Sequence, residues 1–409
     1  MEIKPVRGYR YAGSEARDIS AVVAPPYDQI SPETQDRLYA MSPHNIVRVS
    51  YPKEAADKYR GANDVLKTWL AGAIWARDDR PAIYPYHQTY TVDGRSVTRT
   101  GFVALGAVSD YARGVVLPHE RTHAGPKRDR MELLEATGAD IGLLFMLTAD
   151  PGGELRRATT PIGEPVAEAR DLKGELHRLW RLTEPAALRL VQELMATRQV
   201  IIADGHHRYE TAVAYAERHP DAGQKLMAFF ALEAPGLTIL PNHRLVHGIR
   251  AFDFEDFVQM AARWFEVSPL ADPSAVELEN RTIAVVSGPD AALLRLKPGA
   301  RDHIAWPEGR SAAWRGLAVS ILHEGLLRPL LGITDAKLDA KTHVDYTADR
   351  AEAITLAREG KYQAAFLIAP TTVDELQAVV SGGELLPQKS THFYPKLLDG
   401  LVFHRLWGE

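Results

Sequence analysis

Val200-Ile201-Ile202-Ala203-Asp204-Gly205-His206-His207-Arg208-Tyr209-Glu210-Thr211-Ala212 reads as an apolar strand that ends in an acid, turns on a glycine and enters a helix. Glycine suits the sharp turn because it carries no Cβ. The backbone N–H groups from His206 to Tyr209 then lie in a first helical turn, where they have no intrahelical partner. Such an end attracts anions, and here two imidazoles and a guanidinium surround it. Phosphate is the natural guest, seated on Gly205, His206, His207 and Arg208. Asp204 stands where a carboxylate takes a proton from a hydroxyl or holds a magnesium ion. His206 joins it as a candidate catalytic residue and Glu210 as its support. The plainer alternative is a structural turn, with Asp204 on backbone N–H groups and the histidines packed. Against it, Asp, two His, Arg and Glu within seven residues are costly to bury without a partner.

On either side of this stretch the pattern alternates. A helix is expected at Pro185 to Thr197, strands at Gln199 to Ala203 and Lys225 to Leu232, and a Pro235-Gly236 turn before Leu237 to Leu240. Nearer the start, an apolar segment at Ile19 to Ala24 stops at Pro25-Pro26-Tyr27-Asp28. Ser31 before Pro32 reads as a cap with proline at the first helical position, predicting a helix to Ala40. Val47, Val49 and Tyr51 alternate as in a half-buried strand, and Glu54 to Trp75 has helical spacing. Ile83 to Val92, then Asp93-Gly94, then Ser96 to Leu105 is a hairpin signal, because type I′ turns need the positive φ that Asn, Asp and Gly tolerate. After about residue 250 come longer helical patterns at Phe254 to Phe265, Trp314 to Leu331 and Thr347 to Glu359. Strand candidates at Thr282 to Val286 and Gln363 to Ile368 separate them. The expectation is a mixed α/β (α+β) protein of two domains, 1–250 and 251–409.

Composition narrows the partners. Of 409 residues, 45% are hydrophobic and 25% charged, as in a globular chain with a core of its own. No run of 18 apolar residues occurs, and Met1-Glu2-Ile3-Lys4-Pro5 leads into polar sequence, so a cytoplasmic protein without a membrane segment is expected. Cysteine is absent, which removes thiolate metal sites and cysteine nucleophiles. The 48 basic and 53 acidic residues form no long block of either sign. A small-molecule partner is therefore expected, not a nucleic acid. A homodimer stays open.

A second polar segment runs Leu117-Pro118-His119-Glu120-Arg121-Thr122-His123-Ala124-Gly125-Pro126-Lys127-Arg128-Asp129-Arg130. His-Glu-x-x-His has zinc-protease spacing and allows a metal-dependent hydrolase built on His119, Glu120 and His123. Pro118 and Gly125-Pro126 argue against the helix such a site needs. The competing reading is a loop before a Met131 to Ala136 helix, in which Lys127 and Arg130 contact phosphates and Glu120 binds magnesium or a substrate amine. Three further candidates are weaker. Tyr27 and Asp28 stand at a strand end or in an ordinary capped turn, Lys389 lies in a Gln-Lys-Ser-Thr loop, and His243 with Arg244 follows another strand end.

Ala-Asp-Gly-His-His-Arg-Tyr-Glu-Thr-Ala, with Ala24-Pro25-Pro26-Tyr27-Asp28, Asn45-Ile46-Val47-Arg48, Leu117-Pro118-His119-Glu120 and Pro387-Gln388-Lys389-Ser390-Thr391, closely resembles a conserved family labelled domain of unknown function 1015. Locally, Gly205-His206-His207-Arg208-Tyr209-Glu210 resembles the Gly-Cys-His-Arg-Tyr-Glu turn of sulfiredoxins and the Gly-x-His-Arg turn of ParB-like proteins, a group that includes free-serine kinases. That resemblance implies a ParB/sulfiredoxin-like N-terminal part with a second α/β domain. It further implies a kinase taking ATP, ADP or another nucleotide with magnesium, acting on a hydroxylated metabolite such as serine, with Asp204 as base. A nucleotide-binding regulatory module without turnover is the other implication. His206 occupies the sulfiredoxin cysteine position, so thiol-based reduction is excluded.

Overall fold

The structure, a computed structural model, describes all residues except 14, 15, 93, 123 and 407–409. It is mixed α/β and divides into two compact units, one made of Met1–Thr238 with Pro395–Glu409, the other of Ile239–Tyr394.

The first unit is built on a nine-stranded sheet. Its strands are β1 (Ile3–Lys4), β2 (Tyr84–Val92), β3 (Arg95–Ala107), β4 (Val116–Leu117), β5 (Leu144–Thr148), β6 (Ala167–Arg170), β7 (Leu176–Leu179), β8 (Val200–Asp204) and β9 (Gln224–Ala231). They lie in the order β4-β8-β5-β9-β3-β2-β7-β6, with β1 on β3. Only β8 on β4 and β9 on β5 pair in parallel. All five residues of β5 are buried, as a continuous apolar run in the middle of a sheet requires. The β2–β3 hairpin is present with Gly94 at φ 71°. Asp93, the other turn residue, lies outside the described residues.

The longer helices of this unit are α1 (Pro32–Met41), α2 (Lys58–Ala71), α3 (Ala124–Thr137), α4 (Pro185–Ala196) and α5 (His206–Arg218). Ser31 caps α1 by accepting from Thr34 N, as its place before Pro32 predicts. Leu188, Val191 and Met195 of α4 pack on Met146, Ile202, Met227 and Phe229 of the sheet. In the second unit a wholly antiparallel six-stranded sheet runs in the order Phe265–Pro269, Asp290–Leu296, Thr282–Ser287, Ala364–Ile368, His243–Val246, Val344–Thr347. Ala353, Ile354 and Ala357 of the helix Arg350–Arg358 cover one face of it.

Several local expectations change. Val47, Val49 and Tyr51 are not a strand: Val47–Ser50 is one helical turn with Val47, Val49 and Ser50 all buried. Asn45 sets it up, its amide donating to Ala21 O and Val23 O at 2.9 Å while its carbonyl oxygen accepts from Val47 N at 3.0 Å. Ile19 to Ala24 is irregular apart from one bridge between Ala24 and Asp399, with Val22 N and Val23 N both turning back to Ile19 O. α3 begins at Ala124, seven residues ahead of the predicted start at Met131, because a proline in a first turn removes only an N–H that lacks an intrahelical partner. The helix from Phe254 ends at Ala261 and Phe265 opens a strand. Trp314 to Leu331 is broken into short helices around a π turn at His323–Leu327.

Because Asn45 is fully buried and serves three backbone groups, Asn45→Ala leaves those groups without partners. It should lower the unfolding free energy by about 3 kcal/mol or more, read as a drop in the urea midpoint with unchanged slope.

Candidate functional site

β8 departs from regular pairing with β5 between Ile202 and Asp204, which turns Asp204 out of the ladder. Gly205 follows at φ 100°, and a Cβ there would stand 2.7 Å from Leu144 Cδ2. Conformation and space both require glycine. α5 starts at the next residue. His206 is buried, and its Nε2 accepts from His119 N at 3.2 Å. That nitrogen therefore has no proton to offer an anion. His119 is buried too, donating from Nδ1 to Ile202 O at 2.5 Å, and the two rings meet edge to face with centroids 4.6 Å apart. Burial holds the His119 imidazole below its ordinary range, against the pull of Glu120 and Asp204.

Asp204 Oδ2 accepts from Lys396 Nζ at 2.9 Å, and its Oδ1 lies 3.9 Å from Arg208 Nη2. Burial works to raise this carboxyl, but Lys396 and Arg208 outweigh it and hold it well below the usual carboxylate range. Arg208 in turn donates to Leu143 O at 2.6 Å, and burial's pull on its guanidinium is overcome by Asp204, Asp399 and Asp28. Lys396 is fixed through its backbone. Gln88 Nε2 donates to Lys396 O at 2.9 Å and Arg99 Nη2 to Pro395 O at 2.7 Å. Arg99 is fully buried, its guanidinium 4.5 Å from the Phe145 ring centre and 4.8 Å from that of Phe230.

Arg208 also lines a partly open cavity of about 70 Å³ with Tyr27, Arg130, Leu133, Leu134, Asp140, Ile141, Gly142, Tyr215, Lys225 and Asp399 among its walls. Arg130 donates to Ser50 O at 2.7 Å, pairs with Asp129 and lies 4.2 Å over the Tyr27 ring. Lys225 is bonded to Asp140 and to Gly142 O. Asp399 is held by backbone pairing with Ala24. Burial pushes its carboxyl up to about 6, with Arg208, Arg130 and Lys225 pulling the other way.

The predicted residues thus divide. Asp204, Gly205, His206 and Arg208 share one turn, and Arg130 and Tyr27 meet Arg208 at the cavity. Asp28 is exposed and acts on Arg208 through its charge. His207 is half-buried in the first turn of α5. Lys127 donates to Glu210 Oε2 at 2.5 Å, and Thr122 donates to the same oxygen at 2.9 Å, so these two candidates occupy one another. Glu120 is half-buried next to His119. His123 lies outside the described residues, and among the described ones no three His, Asp or Glu side chains are grouped to hold a metal. Lys389, His243 and Arg244 belong to the second unit. There the backbone oxygen of Lys389 accepts from Arg244 at 3.1 Å, and burial pushes buried His243 down to about 3. Sequence reading missed Lys396, Asp399, Asp140 and Lys225. One local signal for Asp399 existed, since Leu397-Leu398-Asp399-Gly400 repeats the pattern of an acid between apolar residues and a glycine.

A mixed α/β unit with an acid, a positive-φ glycine and a helix start beside a charged cavity is the class these observations define. The chain belongs to the family described as protein of unknown function, DUF1015, whose model matches residues 3–320. No curated protein matches it. Solved structures similar to it include a conserved hypothetical protein from Pyrococcus furiosus, 13% identical, at TM-score 0.35, covering 69% of this chain and 90% of that one. A free serine kinase in complex with AMP is 14% identical, at TM-score 0.37, covering 70% and 88%. SbnI with a C-terminal truncation, from Staphylococcus aureus, is 11% identical, at TM-score 0.37, covering 73% and 85%. Among the described residues no helix is long and apolar enough to cross a membrane.

Because its folded-state pKa is depressed, Asp204 contributes stability that is present above an unfolded-state value of about 3.9 and lost as pH falls below it. Asp204→Asn should cost roughly 3–5 kcal/mol at pH 7, where it strands Lys396. The gap in Tm between variant and parent should close as the melts are repeated below about pH 4.

Proposed function

We propose that the protein transfers a phosphoryl group from a nucleotide, ATP or ADP, to a hydroxyl of a small metabolite such as serine. The observation that carries this reading is an ionised Asp204, held by Lys396 at the start of α5, whose Arg208 lines an adjoining cavity. The first-turn amides of α5 with Arg208 and His207 seat phosphate oxygens. Asp204 accepts the hydrogen bond of the attacking hydroxyl. So acidic a group is a weak base, which suits a loose transition state in which positioning and charge neutralisation do most of the work. Lys396 and Arg208 supply that neutralisation. A magnesium ion carried by the nucleotide needs only one or two carboxylates, and Asp204 and Glu120, which both act on His119 through their charge, are the residues that would hold it and let it neutralise phosphate charge.

The test incubates the pure protein with ATP, ADP or CTP and a panel of amino acids and sugars, with products read by mass spectrometry. Asp204→Ala should abolish product while sparing nucleotide affinity. Arg208→Ala should weaken that affinity by about 1.5–3 kcal/mol. Binding without product would support a regulatory nucleotide module, whereas no binding and no product would remove both readings.

A further inference from the structure

Asp399 is only 5% exposed, yet it faces the cavity, and among the described residues no side chain donates a hydrogen bond to its carboxylate or lies within ion-pair distance, although Arg208, Arg130 and Lys225 act on it through their charge. A buried carboxylate without a partner is costly, and structures rarely keep one without use. Its position relative to Arg208 defines what could satisfy it. The point a Cβ on Gly142 would occupy is 3.2 Å from Arg208 Nη1 and 3.6 Å from Asp399 Oδ1, so those two atoms are no more than 6.8 Å apart. They nonetheless form no direct ion pair. Glycine at 142 leaves the gap between them open. Lys225 is taken up by Asp140 and Gly142 O, and Arg130, itself anchored by Asp129 and Ser50 O, adds a second guanidinium charge on the cavity wall. Leu133, Ile141 and Tyr215 make that wall apolar elsewhere.

A ligand bearing only negative charge would set its anion against Asp399, and one bearing only positive charge would meet Arg208 and Arg130. A small molecule carrying both groups on one carbon satisfies all three. We infer that this cavity binds an α-amino acid with an apolar or aromatic side chain: carboxylate to Arg208 and Arg130, ammonium to Asp399, side chain along Leu133, Ile141 and Tyr215. The inference stands on the cavity and goes beyond the nucleotide reading, whose failure would leave it intact.

Calorimetric titration without nucleotide tests it. Leucine, methionine, phenylalanine and tyrosine are each compared with the deaminated acid and the decarboxylated amine of the same skeleton, isocaproate and isoamylamine in the case of leucine. At least one amino acid should bind about tenfold or more tighter than both its analogues. Asp399→Asn should weaken that amino acid by about tenfold while the deaminated acid, relieved of the opposing carboxylate, binds as well as to the parent or tighter, which also certifies the fold of the variant. Arg130→Met should weaken the amino acid and the deaminated acid alike. If no amino acid outbinds its two analogues in the parent protein, or a folded Asp399→Asn variant binds it unchanged, the inference fails. The comparison within the parent decides even where a variant misfolds.

Discussion

The ion pair between Lys396 and Asp204 ties the last stretch of the first unit to the start of α5, and the charge state of the candidate site depends on it. Neither partner is largely exposed, each having a side chain 19% accessible. A half-formed pair of that kind is worse than none, since removing one partner strands the other charge away from water. The surroundings therefore specify both ends. Gly205 aims Asp204 by taking a backbone conformation other residues avoid, and Gln88 with Arg99 grips the backbone that carries Lys396. Burying Arg99 between Phe145 and Phe230 is part of the same device, because its guanidinium is satisfied by Gln88 and by a main-chain oxygen of that returning segment.

Arg208 links this pair to the cavity. One side of it looks to Asp204 and Leu143 O, the other to the space bounded by Arg130, Tyr27 and Asp399. The two carboxyl groups beside it are driven in opposite directions. Asp204 meets Lys396 at hydrogen-bond distance and stays ionised, while Asp399 has only more distant cations and is governed by burial. Two acids around one guanidinium thus have opposed protonation tendencies. His119 and His206 do something different. Their hydrogen bonds brace the turn from within.

The strand, glycine and helix from Val200 to Ala212 were legible because everything that shapes them is local: an apolar run, a residue without Cβ, and a helical pattern. The hairpin and the capped α1 were legible for the same reason. Val47 to Tyr51 misled because alternation over five residues is a weak signal, and Asn45 reaches back to Ala21 and Val23 to close a helical turn instead. Lys127 and Glu210 each suit a phosphate site by type, yet they pair with each other across 83 residues.

From the chain alone came the mixed α/β class, the family resemblance, the lack of thiol chemistry and the turn that orients Asp204 and Arg208. All of these depend on residue type or on neighbours a few positions apart, which linear order preserves. What folding alone decided was the company that turn keeps: Lys396 and Asp399, nearly two hundred residues further on, and Arg130, Asp140 and Lys225 from other elements. Their roles arise from desolvation and from charges brought within a few ångströms, and no pattern along the sequence encodes a distance through space.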